Sequence, residues 1–212
     1  SVILKGNANE LQGQDEAQQL LDRVAKTYPK LVTNLIPNKI QLSTVTQILQ
    51  NLLSEGIPVK DMRTITEALT ISKSEPSDAD ALTAEVRPKL GRMIIQPLID
   101  PAGKLTVITF AGDLERILES SHQKSDGAHV LLEPKLAESI LKALADNAHE
   151  IQEKGAVPVL VVSPNLRQWL AKFVKLRVPE LHVLAYTEIP EEQKIELFGS
   201  IGGDNAIEDG GR

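Results

Sequence analysis

A nearly uninterrupted apolar run, Val157-Pro158-Val159-Leu160-Val161-Val162, constrains the fold of this chain more than any other feature of its sequence. Its length and β-branched content predict a strand, and the lack of alternating polar residues indicates burial on both faces of a sheet. Ser163-Pro164 then opens an amphipathic helix, and another strand is predicted over residues 181–187. A strand, a helix and a strand in this order form a right-handed parallel crossover, so the second half of the chain is predicted to be α/β.

Further elements complete this predicted α/β module, which is expected to span residues 99–203. Lys104 to Phe110 alternates and is rich in β-branched residues, so it is predicted to be a strand. A long helix is predicted from Pro134 to about Lys154, with Pro at its first position. Lys194 to Ile201 follows the preceding strand after a short connection, so we expect it to pair antiparallel and to make the sheet mixed. The Gly- and acid-rich residues 204–212 are expected to form a flexible tail.

The first half of the chain has the pattern of helices separated by Gly and Pro. Residues 1–28 are expected to be the helical tail of an upstream domain, and residues 29–98 are expected to form an all-helical module. Gly56 and Pro58 predict a tight corner between two helices, and Pro88 predicts a kink or split in a later helix. The expected fold class is therefore an all-helical module followed by a small α/β module with a mixed sheet.

The composition excludes several classes of protein. The chain of 212 residues has no cysteine, so it can form no disulfide, no thiolate nucleophile and no Cys-ligated metal site. The formal net charge of −6 disfavours binding to a phosphate backbone. No apolar run reaches the roughly 18 residues that a membrane-spanning helix needs. The sequence also starts without Met and in the middle of a pattern, so we expect a piece of a longer protein.

The sequence lacks motifs that carry chemistry, so no enzymatic activity, cofactor or metal is expected. The patterns GxxxxGK[ST] and GxGxxG after a strand do not occur. Ser163 follows a strand and precedes a helix, but it lacks the flanking glycines of a nucleophile elbow. The same helix N-terminus could bind an anion, which keeps Asn165 and Arg167 as candidates. None of the four histidines pairs with another at metal-ligand spacing: His122, His129, His149 and His182.

Two charged regions suggest binding surfaces. Residues 43–69 have the pattern of a helix, a Gly-containing turn and a helix, which is also typical of a DNA-binding helix-turn-helix. The second helix carries Asp61 and Glu67 beside its bases, so helix packing is favoured over DNA recognition. A basic strip runs along a later helix and is either a solvated face or a docking surface for an acidic partner. The strip consists of Arg167, Lys172, Lys175 and Arg177.

The most distinctive block of the sequence is Gln50-Asn51-Leu52-Leu53-Ser54-Glu55-Gly56-Ile57-Pro58-Val59-Lys60-Asp61-Met62-Arg63-Thr64-Ile65. In this block the chain resembles the FHIPEP family, which contains the large export-gate subunit of the flagellar type III secretion apparatus. Shorter matches cover nearly the whole chain: Asp15 to Arg23, Tyr28-Pro29-Lys30-Leu31-Val32, Val86-Arg87, Leu90-Gly91-Arg92, Leu132-Glu133-Pro134 and Ile201-Gly202-Gly203. The central block favours the flagellar branch over the injectisome homologues, which share these blocks and remain an alternative, as does a DNA-binding regulator.

This resemblance implies a non-enzymatic cytosolic region at the cytoplasmic face of the bacterial inner membrane, anchored by a membrane portion upstream. It implies assembly into a nine-fold ring with no nucleic acid, and binding of export chaperone–substrate complexes, the export ATPase and its stalk, and other export-gate subunits. It also implies that one edge of a chaperone pocket lies at Gln14, Ala17 and Gln18. Lys60, Asp61 and Arg63 are expected at the ring contact, and Arg92 is a further candidate.

Overall fold

The structure, a computed structural model, describes residues 13–124 and 132–203. The expected tail at 204–212 and His129 lie outside these residues. The described residues form two compact units, which divide between Ile94 and Ile95. The first is helical and the second combines helices with a four-stranded sheet, which confirms the predicted class of an all-helical module followed by an α/β module. The predicted boundary between the modules followed residue 98.

The helical unit is built from short helices joined by tight turns. Its helices are α1 (Gln14–Thr27), α2 (Pro29–Leu35), α3 (Leu42–Ser54), α4 (Met62–Thr70) and α5 (Ala79–Val86), and α6 (Gly91–Ile95) follows. α1 packs against α2, α3 and α4, so it belongs to the core of this unit. Leu21 on α1 and Leu49 and Leu52 on α3 are buried in that core. Burial of such leucines stabilises the unit by roughly 2 kcal/mol each.

Proline divides the last helical stretch of this unit, as the sequence predicted. α5 ends at Val86, and residues Arg87–Leu90 form a 3-10 turn before α6 begins. Pro88 lies near the start of that turn, because its missing N–H and its ring are incompatible with a helix interior. The turn buries Arg87, whose Nη1 lies 2.7 Å from Oε2 of Glu55 at the end of α3. The ion pair between Arg87 and Glu55 therefore holds the 3-10 turn against the end of α3.

The α/β unit alternates strands and helices after a 3-10 turn at Gln96–Leu98. In chain order it contains β1 (Lys104–Phe110), α7 (Gly112–Lys124), α8 (Pro134–Glu153), β2 (Val159–Val162), α9 (Pro164–Lys175), β3 (His182–Ala185), a 3-10 turn (Tyr186–Glu188) and β4 (Lys194–Ile201). The bounds of β1 and β4 agree with the prediction. The segment β2–α9–β3 is the expected parallel crossover, because β2 and β3 pair in parallel.

The sheet has the order β3-β2-β1-β4, and its strands are all parallel. The predicted antiparallel pairing of β4, and with it the mixed sheet, is wrong. β4 does not return beside β3 but lies on the far side of β1. The connecting residues 186–193 comprise the 3-10 turn and five further residues, which at rises of about 2 Å and 3.3 Å per residue span roughly 22 Å. This exceeds the roughly 14 Å of three strand spacings.

A side-chain amide anchors the start of β4 beside the start of β1. Gln193 Nε2 donates to the carbonyl oxygen of Gly103 at 2.7 Å, and Lys104 pairs with Lys194 in the ladder. At the other end of the strands, the Ala111 backbone N–H donates to the carbonyl of Ile201 at 2.7 Å. These contacts fix the parallel register of β4 at both ends.

The core of the α/β unit lies between the sheet and the helices α7, α8 and α9. Ile108 and Leu160 contribute from the sheet, while Leu118, Leu144 and Leu170 contribute from the helices. These side chains are all fully buried. Within the described residues, no helix combines the length and the apolar character that crossing a bilayer requires.

Candidate partner-binding groove

An open groove of about 350 Å³ lies in the helical unit, between the C-terminal half of α1 and the segment that leads into α4. Its lining is apolar at four positions and cationic at three: Leu20, Val24, Val59 and Met62, and Arg23, Lys60 and Arg63. Thr27, Tyr28 and Asp61 complete the lining. Three residues that the sequence proposed as partner contacts, Lys60, Asp61 and Arg63, therefore lie together.

Tyr28 and Arg63 form one wall of this groove. The Arg63 Cζ lies 4.3 Å from the centre of the Tyr28 ring, and its Nη1 donates to the Tyr28 hydroxyl at 2.7 Å. Arg63 Nε also donates to Oε1 of Glu67 one turn along α4, at 2.9 Å. The hydrogen bond to Glu67 is the main reason that the pKa of Arg63 is raised above its usual value. The guanidinium is thus oriented before any partner arrives.

Local sequence places Tyr28 at this wall. Pro29 begins α2 and disfavours a helical conformation for the residue before it, so α1 ends at Thr27. Tyr28 stands between the two helices with its ring turned towards α4. The sequence marked Tyr28 only as part of a block that resembles the family, not as a groove residue. The available signal was the scarcity of aromatic residues, since the chain contains two tyrosines, both with polar tips able to bind.

The corner that leads into α4 agrees with the sequence prediction. Gly56 has a φ of 77°, the left-handed conformation that favours glycine at the end of a helix. The Ile57 N–H donates to the carbonyl of Leu52 at 3.0 Å, and the Ile57 side chain is buried. Pro58 follows on the surface. The corner therefore holds Val59 and Lys60 against the groove.

Asp61 and Lys60 have different roles at this corner. Asp61 caps α4, because its carboxylate accepts hydrogen bonds from the Thr64 N–H at 3.2 Å and the Thr64 hydroxyl at 2.7 Å. Lys60 is exposed, as is Arg23 across the groove. The groove thus presents an apolar floor with a cationic rim, which suits an acidic segment that carries an apolar anchor.

The packing of α4 bears on the helix-turn-helix hypothesis. Met62, Ile65 and Leu69 are buried, and the exposed Arg63 and Glu67 bond to each other. A DNA-reading helix needs a row of side chains that reach base edges. The exposed face of α4 offers mainly this internal ion pair, so the structure favours packing as the role of this helix.

The residues proposed at the edge of a chaperone pocket lie at the start of α1. Gln14 is exposed, and Gln18 is half-buried with its Nε2 donating to Oδ1 of Asp22 at 2.8 Å. Ala17 is 0% exposed, because it faces the core of the helical unit. Its side chain is therefore inaccessible to a partner, contrary to the sequence hypothesis. Arg92 is exposed on α6.

The predicted basic strip on α9 is only partly correct. Lys172, Lys175 and Arg177 are exposed, and Arg177 pairs with Glu138 on α8 at 3.0 Å. Arg167 does not belong to the strip, because it is 6% exposed and its Nε lies 3.8 Å from Oε2 of the buried Glu188. The Arg167 side chain points inward, where Nη1 also donates to the Val183 carbonyl.

Carboxylates of α7 occupy the helix N-terminus that could have bound an anion. The Ser163 N–H donates to Oε1 of Glu115 at 3.1 Å, and the Ser163 hydroxyl donates to Oε1 of Glu119 at 2.9 Å. Ser163 therefore makes no side-chain cap, although it holds the N-cap position. Two negative side chains at this point disfavour a bound anion. In the described ranges, no cluster of His, Asp or Glu could hold a metal ion.

The described residues thus combine a helical unit, which carries the groove, with a parallel α/β unit. Residues 1–194 match the FHIPEP family, and the chain belongs to that family.

Individual relatives agree with this assignment. The flagellar biosynthesis protein FlhA of Proteus mirabilis is 41% identical over 203 residues, which cover 96% of this chain and 29% of the relative. The cryo-EM structure of nonameric EPEC SctV-C superimposes with a TM-score of 0.79 at 26% identity, covering 94% of this chain and 60% of that one. A Chlamydia pneumoniae complex of CdsV and CdsO gives a TM-score of 0.78 at 25% identity, covering 95% and 59%. The chain thus spans about three-tenths of the curated FlhA protein.

Proposed function

We propose that this chain is a cytosolic docking and ring-forming part of the bacterial flagellar protein export gate, and that it acts by binding without catalysing a reaction. The observation that supports this most is the groove with its apolar floor and its rim of Arg23, Lys60 and Arg63. Its corner and α4 come from the block of sequence that most resembles the family. On this proposal the chain works at the cytoplasmic face of the inner membrane, as part of a membrane-anchored protein.

Sequence identity supports the flagellar branch. The identities to flagellar FlhA proteins run from 28% to 41%, whereas the SctV-C and CdsV chains reach 26% and 25%. An injectisome gate would share the fold, because these chains superimpose with TM-scores of 0.79 and 0.78. The difference in identity makes flagellar export the better-supported proposal.

The proposed ring contact uses the cationic rim. SctV-C is nonameric, and a cyclic assembly requires a heterologous contact in which two different surfaces meet. Lys60 and Arg63 would face acidic side chains of the adjacent subunit, while Asp61 would act indirectly by capping α4. Arg63 is held by Tyr28 and Glu67, so little side-chain entropy is lost when it is paired.

The proposed docking partners are export chaperone–substrate complexes, the export ATPase and its stalk, and other export-gate subunits. The CdsV relative forms a complex with CdsO, which supports partner binding by this type of domain. Gln14 and Gln18 would contribute to one edge of the chaperone site. The exposed Lys172 and Lys175 on α9 would offer a separate surface to an acidic partner.

Charge reversal at the rim is expected to weaken self-association. Replacing Lys60 and Arg63 by Glu places like charges opposite the acidic surface of the neighbour, which should weaken the contact tenfold or more, an estimate of about 1.4 kcal/mol or above. Sedimentation velocity at high protein concentration measures this change. Lys89→Glu is the matched control, because Lys89 is exposed and does not line the groove. Equal sedimentation of the Lys60/Arg63 variant and the control would contradict the ring contact.

Changes at the start of α1 are expected to weaken chaperone binding. The assay is a pull-down of purified chaperone–substrate complexes by the longer protein that includes the upstream domains. Replacing Gln14 and Gln18 by Lys should lower the affinity by about fivefold, in line with the roughly 1 kcal/mol that a contributing interface residue supplies. Gln19→Lys is the control, since Gln19 is an exposed neighbour on α1. Capture that is absent for the unmodified protein as well would sink the docking proposal.

A further inference from the structure

The first half of β4 is a strand with unusually little cover. Each of its residues from Lys194 to Leu197 is exposed, and the apolar side chains of Ile195 and Leu197 are 51% and 60% exposed. Strands of parallel sheets normally have both faces buried. β4 ends the strand order, so among the described residues β1 is its sole pairing partner. We call residues 194–197 the bare edge.

The second half of β4, in contrast, is covered by residues of α8 and by Lys154, which follows that helix. Lys154 Nζ lies 5.0 Å from the centre of the Phe198 ring, and a Cβ added at Gly199 would come within 2.9 Å of Oδ1 of Asn147 on α8. Ile201 at the end of the strand is buried. Helix α8 and the residue after it thus cover β4 only from Phe198 onwards. The bare edge is the part of β4 that precedes the residues covered by α8.

The bare edge is nevertheless a fixed template. Its ladder with β1 runs without interruption from Lys104 opposite Lys194 to Val107 opposite Leu197, and the register shift comes only after this pair. Gln193 Nε2 holds the start of the strand to Gly103. A partner that pairs here would therefore meet an already ordered strand, which reduces the entropic cost of binding.

The devices that usually protect a sheet edge are incomplete at this one. Edge strands are commonly short, bulged, or guarded by charged side chains. β3 at the opposite edge spans only His182–Ala185 and packs against α9. β4 spans Lys194–Ile201 and its irregularity lies beyond the bare edge, so the charges of Lys194 and Glu196, which alternate with Ile195 and Leu197, are its main guard. The unpaired backbone N–H and C=O groups of such an edge are matched by another extended chain.

We propose that the bare edge is a strand-addition site, which binds an extended segment of a different polypeptide with apolar side chains at alternate positions. The backbone of that segment would pair with β4, and its apolar side chains would cover Ile195 and Leu197. The site lies in the α/β unit and uses no residue of the groove, so it stands independently of the proposed ring contact.

A second copy of this chain fits the bare edge less well than a different polypeptide does. Two identical edges that pair antiparallel are related by a two-fold axis, so the contact is satisfied by two copies. The nonameric relative requires a contact between two different surfaces. Self-pairing of β4 would link subunits in twos and would not build the contact of such a ring. An extended segment of a different polypeptide could instead add to β4 of every subunit.

The test uses fluorescein-labelled peptides of about six residues, the usual strand length, with Val, Ile or Leu alternating with Thr or Lys. Fluorescence anisotropy with the whole chain should show saturable binding by peptides of this set. Amide chemical shifts in NMR spectra should change mainly along β4. The same peptides N-methylated at alternate residues keep their side chains but lose donors for strand pairing, so they should bind roughly tenfold more weakly or not at all.

Paired variants of the chain test the position of the site. Ile195→Lys with Leu197→Lys should weaken peptide binding by roughly tenfold or more, because the apolar contact is lost and the edge becomes charged. Leu176→Lys is the matched control, since Leu176 is 92% exposed in the same unit. Binding that is absent for the whole peptide set, that tolerates N-methylation or that survives in the β4 variant would overturn the proposal. So would a β4-dependent dimer formed without peptide.

Discussion

Gly202→Ala is expected to lower the free energy of unfolding of the α/β unit by about 3 kcal/mol. Gly202 follows β4 with a φ of 87°, where an L side chain costs about 1–2 kcal/mol. A Cβ at this position would also stand 2.6 Å from the Cβ of Leu114, so α7 or the end of β4 must shift. Overpacking of this kind typically costs about 1–3 kcal/mol.

Urea unfolding followed by tryptophan fluorescence measures this loss. Trp169 is the single tryptophan of the chain, and it stacks on Phe173 within the α/β unit, with 5.4 Å between the ring centres. Gly103→Ala separates the two causes, because Gly103 has a φ of 81° but no atom within 4 Å of an added Cβ. The control should lose only about 1 kcal/mol. If the two variants lost equal free energies of unfolding, Leu114 would move away from the added Cβ at no energetic cost.

This glycine belongs to a Gly-rich stretch at the end of β4. The stretch from Gly199 to Gly203 is Gly-rich, but it contains no phosphate-binding pattern followed by a helix. The structure supplies a steric reason for two of its glycines: Gly199 lies against Asn147 of α8, and Gly202 lies against Leu114 of α7. Glycine is needed here for close packing of helices against the last strand.

The elements that depend on local sequence could be predicted, and their pairing could not. The alternation in β1 and the effect of Pro88 are local signals, and the structure confirms both of them. The direction of β4 depends on contacts distant in sequence, such as the one from Gln193 to Gly103. The short connection between β3 and β4 suggested an antiparallel hairpin. Nothing in the residues of that connection reveals that it passes across the sheet.

The candidate groove was predictable only in part, for the same reason. Lys60 and Arg63 stand in a specific block of sequence, and the exposure of Arg63 follows from the helical spacing of Met62 and Ile65. Their neighbours Arg23 and Tyr28 come from α1 and its end, and only the packing of α1 on α4 brings them to the same groove. The periodicity of the sequence indicates which face of α4 is exposed. It does not indicate that α1 lies beside that face.

Arg167 is the clearest case in which a helical pattern misleads, and it gives the second large expected effect. Its Nε lies 3.8 Å from Oε2 of Glu188, a residue of the 3-10 turn that follows β3. Both side chains are almost fully buried. Replacing one member of a buried ion pair leaves a charge in a low-dielectric environment, so Arg167→Met should destabilise the α/β unit by about 3 kcal/mol.

A double-mutant cycle tests whether the pair itself carries this energy. Glu188→Leu alone should cost about 3–5 kcal/mol, because it strands the Arg167 charge and also removes the acceptor of the Ala185 N–H at Glu188 Oε1. The double variant Arg167→Met/Glu188→Leu should lose only about 2 kcal/mol, since no buried charge remains and one backbone N–H lacks its acceptor.

Lys172→Met on the same helix is the matched control, and it should stay within about 0.5 kcal/mol of the unmodified chain because Lys172 is exposed. Urea midpoints from Trp169 fluorescence give all the values. If Arg167→Met behaved like Lys172→Met, the buried pair would contribute no net stability to the α/β unit. The cycle therefore separates the energy of the ion pair from the cost of leaving either charge without its partner.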